Sequence, residues 1–271
     1  DNNSINTKEF KKYLKIQEQD NLIFDQIVNI NSNFKINASI DDKFNIKNFA
    51  IKSDLNFDNL NINYRSNLVK KYLTNFDNKI AIKNPQILFE YSNDIFNLQA
   101  DGKYMLMDKE DNFFIKYKGS ENNFEIYSLL DLNDIELKID EIQYFKKKKI
   151  PSKLEILLNK SKNSFNLEKI SYTENKNYIS VNDLHISDDF KVQSVDKIDI
   201  NFRNSKGIKN NFKIQKNSNN YQLIGNLIDG EKIIEKLLKG NNENKLLKLF
   251  DNLNTSVILN LEKVYLEKDE Y

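Results

Sequence analysis

From residue 34 onward the chain alternates apolar and polar positions with a period of two. Phe34, Ile36, Ala38 and Ile40 lead into a turn at Asp41-Asp42, and Phe44 and Ile46 resume the alternation. The same spacing recurs at 87–91, 96–100, 104–107, 113–117 and 124–127. A period of two sends successive side chains to opposite faces, which is the mark of strands with one apolar face. Clusters of Asn and Asp separate the runs at 93–94, 109–112, 120–123, 175–177, 188–189 and 217–220, and their short polar side chains favour turns. Many short strands with turns between them predict an antiparallel, mainly β fold. Residues 1–33 are less periodic and read as an irregular lead-in, with a short helix around Phe10, Tyr13 and Leu14 and a strand over 22–30.

Helical spacing shows in few places. Leu68, Val69, Tyr72, Leu73 and Phe76 fit one face of a helix and equally a strand followed by a loop. Over 229–239 the signals agree better: Asp229 can cap, Ile233, Ile234, Leu237 and Leu238 form one stripe, Glu235 and Lys239 are an i,i+4 pair, and Gly240 suits the C-terminal cap. With a second short helix over 245–253, residues 229–253 read as a helical connection between a strand at Tyr221 and Leu223 and a closing strand from Val257.

That closing strand carries an eight-residue pattern, apolar at positions 1, 3, 6 and 8 with a polar pair between. It occurs at 44–51 (FNIKNFAI), 55–62 (LNFDNLNI), 137–144 (LKIDEIQY), 165–172 (FNLEKISY), 179–186 (ISVNDLHI) and 259–266 (LNLEKVYL). The apolar parity switches at the polar pair, so a straight strand would turn its second half to the opposite face. A bulge restores the face and bends the strand; a two-residue hairpin also restores it but wants Gly, Asn or Asp. Bulges are therefore expected in most copies, with Asp58-Asn59 and Asn182-Asp183 as candidate hairpins. A dozen or more one-faced strands set against one or two helices must cover themselves as a sandwich, close as a barrel, or curl into a trough. An elongated, curled antiparallel sheet forming an apolar groove, with one or two short helices near the C-terminus, is the expected fold over 34–271.

Composition narrows the chemistry. Of 271 residues only 39% are apolar, which suits elements that bury a single face. Lys+Arg (41) and Asp+Glu (40) nearly cancel, leaving no overall field to draw in nucleic acid. The one basic block, 146–149, reads as a solvated loop or strand edge. There is no cysteine and a single histidine. Asp183, His185 and Asp188 come nearest to a metal-ligand spacing, and the paired carboxylates Glu110-Asp111 and Asp188-Asp189 fall in expected turns. Neither a catalytic triad nor a phosphate-cradling glycine loop is present, so an enzyme is not expected, nor any cofactor. No apolar run approaches the ~20 residues that span a bilayer. The polar start at Asp1-Asn2-Asn3 is that expected of a segment whose anchor lies upstream.

Two stretches carry a resemblance. YQLIGNLIDGEKIIEKLLK (221–239), followed by SVILNLEKVYLEKD (256–269), resembles the AsmA-like family, in which a strand ending in Gly leads through an Asp-headed helix to an alternating strand; VNDLHISDDFKVQSVDKIDINF (181–202) is similar to the short consecutive strands of those proteins. The likeness is one of pattern over about 34–271, and Asp229 is the one position that maps onto a family landmark, as a helix cap. The family, with YhdP- and TamB-type relatives, consists of repeating β-groove lipid-transfer proteins anchored in the inner membrane of Gram-negative bacteria. The resemblance implies a periplasmic segment that binds phospholipid acyl chains and conducts them between inner and outer membranes. The lining expected from the alternation is Phe34, Ile36, Ile40, Phe44, Ile46, Ile198, Ile200, Phe202, Phe212, Ile214, Val257, Leu259, Leu261, Val264 and Leu266. The alternative is a ligand-free structural or adhesive β-sandwich or solenoid of a surface lipoprotein.

Overall fold

A computed structural model of the chain describes residues 4–5, 22–73, 75–189, 191–218, 220–231 and 256–266. The fold is mainly β, with 72% in strands and 4% helical. The chain divides into two compact units, Asp1–Ile135 and Glu136–Tyr271.

Among the described residues of the first unit the strands are β1 (Ser4–Ile5), β2 (Leu22–Val28), β3 (Asn31–Ile40), β4 (Ile46–Asn56), β5 (Asn59–Tyr64), β6 (Lys79–Ser92), β7 (Ile95–Leu106), β8 (Lys109–Gly119) and β9 (Phe124–Asp131), with a helix, α1 (Asn67–Tyr72), between β5 and β6. All the pairings are antiparallel: β1 with β2, β2 with β5, β5 with β6, then β6 to β9 in chain order. β3 pairs with β4, and β4 also pairs with β6. The ambiguous stretch after residue 66 is thus helical. Its start is fixed by Ser66, whose Oγ accepts from the Val69 amide at 3.2 Å, and Lys70 and Lys71 sit at the favourable C-terminal end.

The second unit holds β10 (Leu137–Ile139), β11 (Tyr144–Lys146), β12 (Ser152–Ser161), β13 (Ser164–Glu174), β14 (Asn177–Ser187), β15 (Val192–Arg203), β16 (Lys209–Asn217), β17 (Asn220–Asp229) and β18 (Val257–Tyr265). From β12 to β17 neighbours in the chain pair antiparallel, and β18 joins β17 in parallel. β10 and β11 form a separate two-stranded hairpin. The helices expected over 229–239 and 245–253 fall mainly on residues 232–255, outside the described residues. Asp229 itself ends β17, and its Oδ1 accepts from the Glu231 amide at 3.2 Å.

The polar pairs of the eight-residue pattern are bulges in four copies. Asn48 (φ 51°) stands where the β3–β4 register slips. Glu168 drops out of the β12–β13 pairing and faces Asp183 (φ 51°), which drops out of β14, so the two bulges lie side by side. Glu262 in β18 likewise lies level with Asn226, the residue skipped where β17 slips against β16. Two expected hairpins are corrected. β14 runs unbroken through Asn182-Asp183. At Asp58-Asn59 the chain also continues forward, because β4 and β5 both run antiparallel to β6 and so cannot be antiparallel to each other. The copy at 137–144 departs the other way: it is a true hairpin, turning through a 3₁₀ segment, Asp140–Ile142, with Gln143 at φ 54°. Bulges bend and over-twist a strand, so each unit carries an open sheet bent along a row of irregular residues.

Candidate functional site

In the second unit the register lines up apolar side chains strand after strand. Ile156, Ile170, Val181, Ile198, Ile214, Leu223 and Leu259 are consecutive partners from β12 to β18. Next to that row run Leu154, Tyr172, Ile179, Ile200, Phe212, Gly225 and Leu261, and past the bulges Leu158, Leu167, Leu184 and Val195. The intervening rows, on the opposite face, are mostly polar, for example Glu155, Ser171, Ser180, Asp199 and Lys213. Seven strands make six steps of about 4.8 Å, so the first apolar row extends about 29 Å. Its members are half-buried up to Leu223, and Leu259 is 66% exposed.

One end of this face is covered. The β10–β11 hairpin packs Tyr144 edge-on against Tyr172 and Phe202, with ring centroids 5.8 and 5.2 Å away. Tyr144 and Phe202 are each 1% exposed, and Ile200, Phe212 and Tyr172 are buried too. The Tyr144 and Tyr172 hydroxyls are 2.9 Å apart, and both donate to the Glu174 carboxylate. Burial raises the Glu174 carboxyl above the ordinary glutamate range, partly opposed by a hydrogen bond from Asn177, and burial raises the Tyr172 phenol as well. The hairpin is pinned further by the Ser205 amide on the Gln143 carbonyl (2.9 Å) and by Gln143 Nε2 on Asp229 Oδ2 (3.1 Å). Asn204 Nδ2 donates to the same Asp229 oxygen at 2.6 Å, and the Asp229 amide donates to Asn210 Oδ1 at 2.7 Å. The basic block is therefore not uniformly solvated. Lys147, Lys148 and Lys149 are exposed, but Lys146 is fully buried, with Nζ 3.2 Å from the Lys147 carbonyl.

The first unit repeats the arrangement. Ile36, Ile51, Tyr91, Phe96, Gly119 and Phe124 are successive partners, and Leu55, Ile87, Ala100 and Ile115 form a parallel row. Again one end is filled: Val69 of α1 and Leu73, which caps its C-terminus, pack against a buried cluster of Phe76, Ala100, Tyr104, Leu106, Phe113 and Ile135. Within it Tyr104, its phenol raised by burial and by Asp111 and Asp131, donates to the Asp131 carbonyl. The other end is aromatic and open, with Tyr91 and Phe96 4.7 Å apart and Phe96 exposed.

The expected lining residues fall into two groups. Ile198, Ile200, Phe202, Phe212, Ile214, Val257, Leu259 and Leu261 share the apolar face of the second unit, though Ile200, Phe202 and Phe212 lie at its covered end. Val264 and Leu266 follow the β18 bulge and are exposed. Phe34, Ile36, Ile40, Phe44 and Ile46 belong to the β3–β4 hairpin of the first unit, where all are exposed. The sequence reading missed the middle of the face, Ile156, Ile170 and Val181, although the parity of the repeated pattern marks Ile170 and Val181. Asp183, His185 and Asp188 do not converge: Asp183 is the bulge, His185 pairs with Asn166 and Ser194, and Asp188 bonds Lys160. Among the described residues no three His, Cys, Asp or Glu side chains meet as a metal site, and no helix is long and apolar enough to cross a membrane.

Compared with family models, curated proteins and solved structures, the chain matches none. The site is thus characterised by its geometry: long apolar rows, polar on the reverse face, each filled at one end. Such a surface can hold an elongated apolar ligand and offers no fixed polar group along its middle to stop the ligand sliding.

Proposed function

We propose that this chain binds phospholipid acyl chains on the apolar faces of its sheets, as a segment of a periplasmic carrier that passes lipid between inner and outer membranes. The observation that carries the reading is the in-register row from Ile156 to Leu259, half-buried rather than sealed and about 29 Å long. One leaflet contributes about half of a ~30 Å hydrocarbon core, so the row is long enough for a whole acyl chain. Each methylene taken from water contributes roughly 0.8 kcal/mol, which holds a chain firmly without any one contact fixing it. The compartment and the membrane-to-membrane direction rest on the AsmA-like resemblance of 181–202, 221–239 and 256–269.

Mass spectrometry of an organic extract of the protein, purified without detergent, tests the proposal. The expected result is near-stoichiometric phospholipid that falls when Val181 and Ile198 are both replaced by Gln. Absence of lipid from the wild type would favour the second reading, a ligand-free structural β domain. That reading draws its support from the buried, self-filled ends around Phe113 and Phe202.

A further inference from the structure

The β3–β4 hairpin outruns the sheet it belongs to. β4 pairs with β6 only as far as Ala50, opposite Ser92; beyond that point the described partners of β3 and β4 are each other, through Asn37–Ala50, Ser39–Lys47 and Ile40–Ile46. An isolated two-stranded ribbon is marginal in water, yet this one is carefully built. Asp41 Oδ1 accepts from the Lys43 and Asn45 amides, both at 2.9 Å, and the Asp41 amide donates to the Asn45 carbonyl at 3.0 Å. Ser39 Oγ bridges the Lys47 carbonyl and Asn48 Nδ2, each at 3.0 Å. This turn holds Phe44 at φ 63°, a left-handed conformation that disfavours a bulky side chain, and leaves it 89% exposed.

The ribbon is also two-faced. With the bulge at Asn48 restoring the parity, Phe34, Ile36, Ile40, Ile46 and Phe49 lie on one side, continuing the row through Ile51 and Tyr91, and Lys35, Lys47 and Lys52 lie on the other. On the polar side Lys47 lies 3.2 Å from Asp41 Oδ2 and Lys52 pairs with Glu90, which leaves Lys35 and, at the turn, Lys43 as the exposed lysines that face solvent. A standard protein interface takes roughly 20–30 residues a side; the ribbon offers half a dozen apolar side chains on a strip two strands wide. Apolar residues on one face and lysines on the other are instead the pattern of elements that lie in the boundary between lipid headgroups and acyl chains.

We propose that the β3–β4 ribbon docks on a phospholipid bilayer with anionic headgroups, with Phe44, Ile40 and Ile46 entering the acyl boundary and Lys35 and Lys43 meeting phosphate. This deepens the lipid reading by naming a membrane surface as the partner of this end of the first unit; it rests on the β3–β4 ribbon, whereas the row that carries that reading, Ile156 to Leu259, belongs to the second unit. The chain has no tryptophan, so Phe44→Trp gives a single reporter. On vesicles of phosphatidylcholine with a minority of phosphatidylglycerol, its emission should shift to the blue and be quenched by lipids carrying nitroxide on the acyl chain. Phe44→Asp with Ile46→Asp should weaken vesicle co-sedimentation of the full chain by roughly tenfold or more. An emission spectrum of the Phe44→Trp protein that vesicles leave unchanged would overturn the proposal, as would a blue shift that grows with protein concentration in the absence of lipid, which assigns the ribbon to a second copy. Lipid extracted from the Phe44→Asp, Ile46→Asp protein reports separately on cargo binding, so failure of docking and failure of the cargo reading give different results.

Discussion

Gly225 faces the slip between β16 and β17, and a Cβ there would come within 2.5 Å of the Asn211 carbonyl and 2.6 Å of the Phe212 Cα. Both are backbone atoms of a paired strand and cannot step aside. Gly225→Ala is expected to cost about 2 kcal/mol or more, read as a lower urea midpoint. Gly207→Ala, in open space but at φ 80°, should cost only about 1–2 kcal/mol. Side-chain chemistry explains where several bulges fall: Asn48, Asn84 and Asp183 all sit at positive φ, a conformation that Asn and Asp tolerate best among residues with a Cβ. In two of these, Lys47-Asn48 and Asn182-Asp183, the polar pair advertises the bulge in the sequence. At Asn84 the signal is present but falls outside the six copies read from the sequence: Ile80 and Ile82 precede the polar pair Lys83-Asn84, Pro85 follows it, and the Asn84 amide reaches the Asp58 carbonyl at 3.0 Å where β4 hands over to β5.

At the scale of elements, the β10–β11 hairpin shows where a local pattern stops being decisive. LKIDEIQY and LNLEKVYL have the same apolar spacing, but the first folds back and the second runs straight. What differs is the neighbourhood, Tyr144 having Tyr172, Phe202 and Glu174 to close on. The same packing draws Lys146 inside, which the run of four lysines hides. The cluster makes a pH test of this element. Burial raises Glu174 above its unfolded value, so its contribution favours the fold at low pH, is full below the ordinary glutamate pKa and is lost as pH rises through the folded one. Glu174→Gln keeps an oxygen for Tyr144 and Tyr172 but cannot ionise. The wild type minus variant difference in unfolding free energy should therefore decline from acid to neutral pH; a difference that is flat or rises with pH would remove the buried carboxyl from the account. Comparing the two proteins cancels Asp41, Glu110 and Asp189, whose lowered values, from hydrogen bonds with Asn45, Lys103 and Lys191 first, act in the opposite sense.

For the whole molecule, a 39% apolar share is enough because each sheet concentrates its apolar residues on one face and spends polar ones on the other. The alternation made that arrangement legible, down to Ile198, Ile214 and Leu259 on a single face. Register and coverage were not legible, because which strand pairs with which, and what lies over it, depend on residues far apart in the chain. Hence Ile156 was absent from the expected lining while Phe202, sealed under Tyr144, was in it; Ile170 and Val181 carry the parity of the repeated pattern and were within reach of the sequence. The central claim is that the apolar faces, and not their polar reverses, meet lipid. Photo-crosslinking side chains placed singly at Ile214 and Leu259, and at their neighbours Lys213 and Asn260 on the other face, test it directly in cells. The account predicts phospholipid adducts from Ile214 and Leu259 alone; equal capture from Lys213 and Asn260, or none from any of the four, would contradict it.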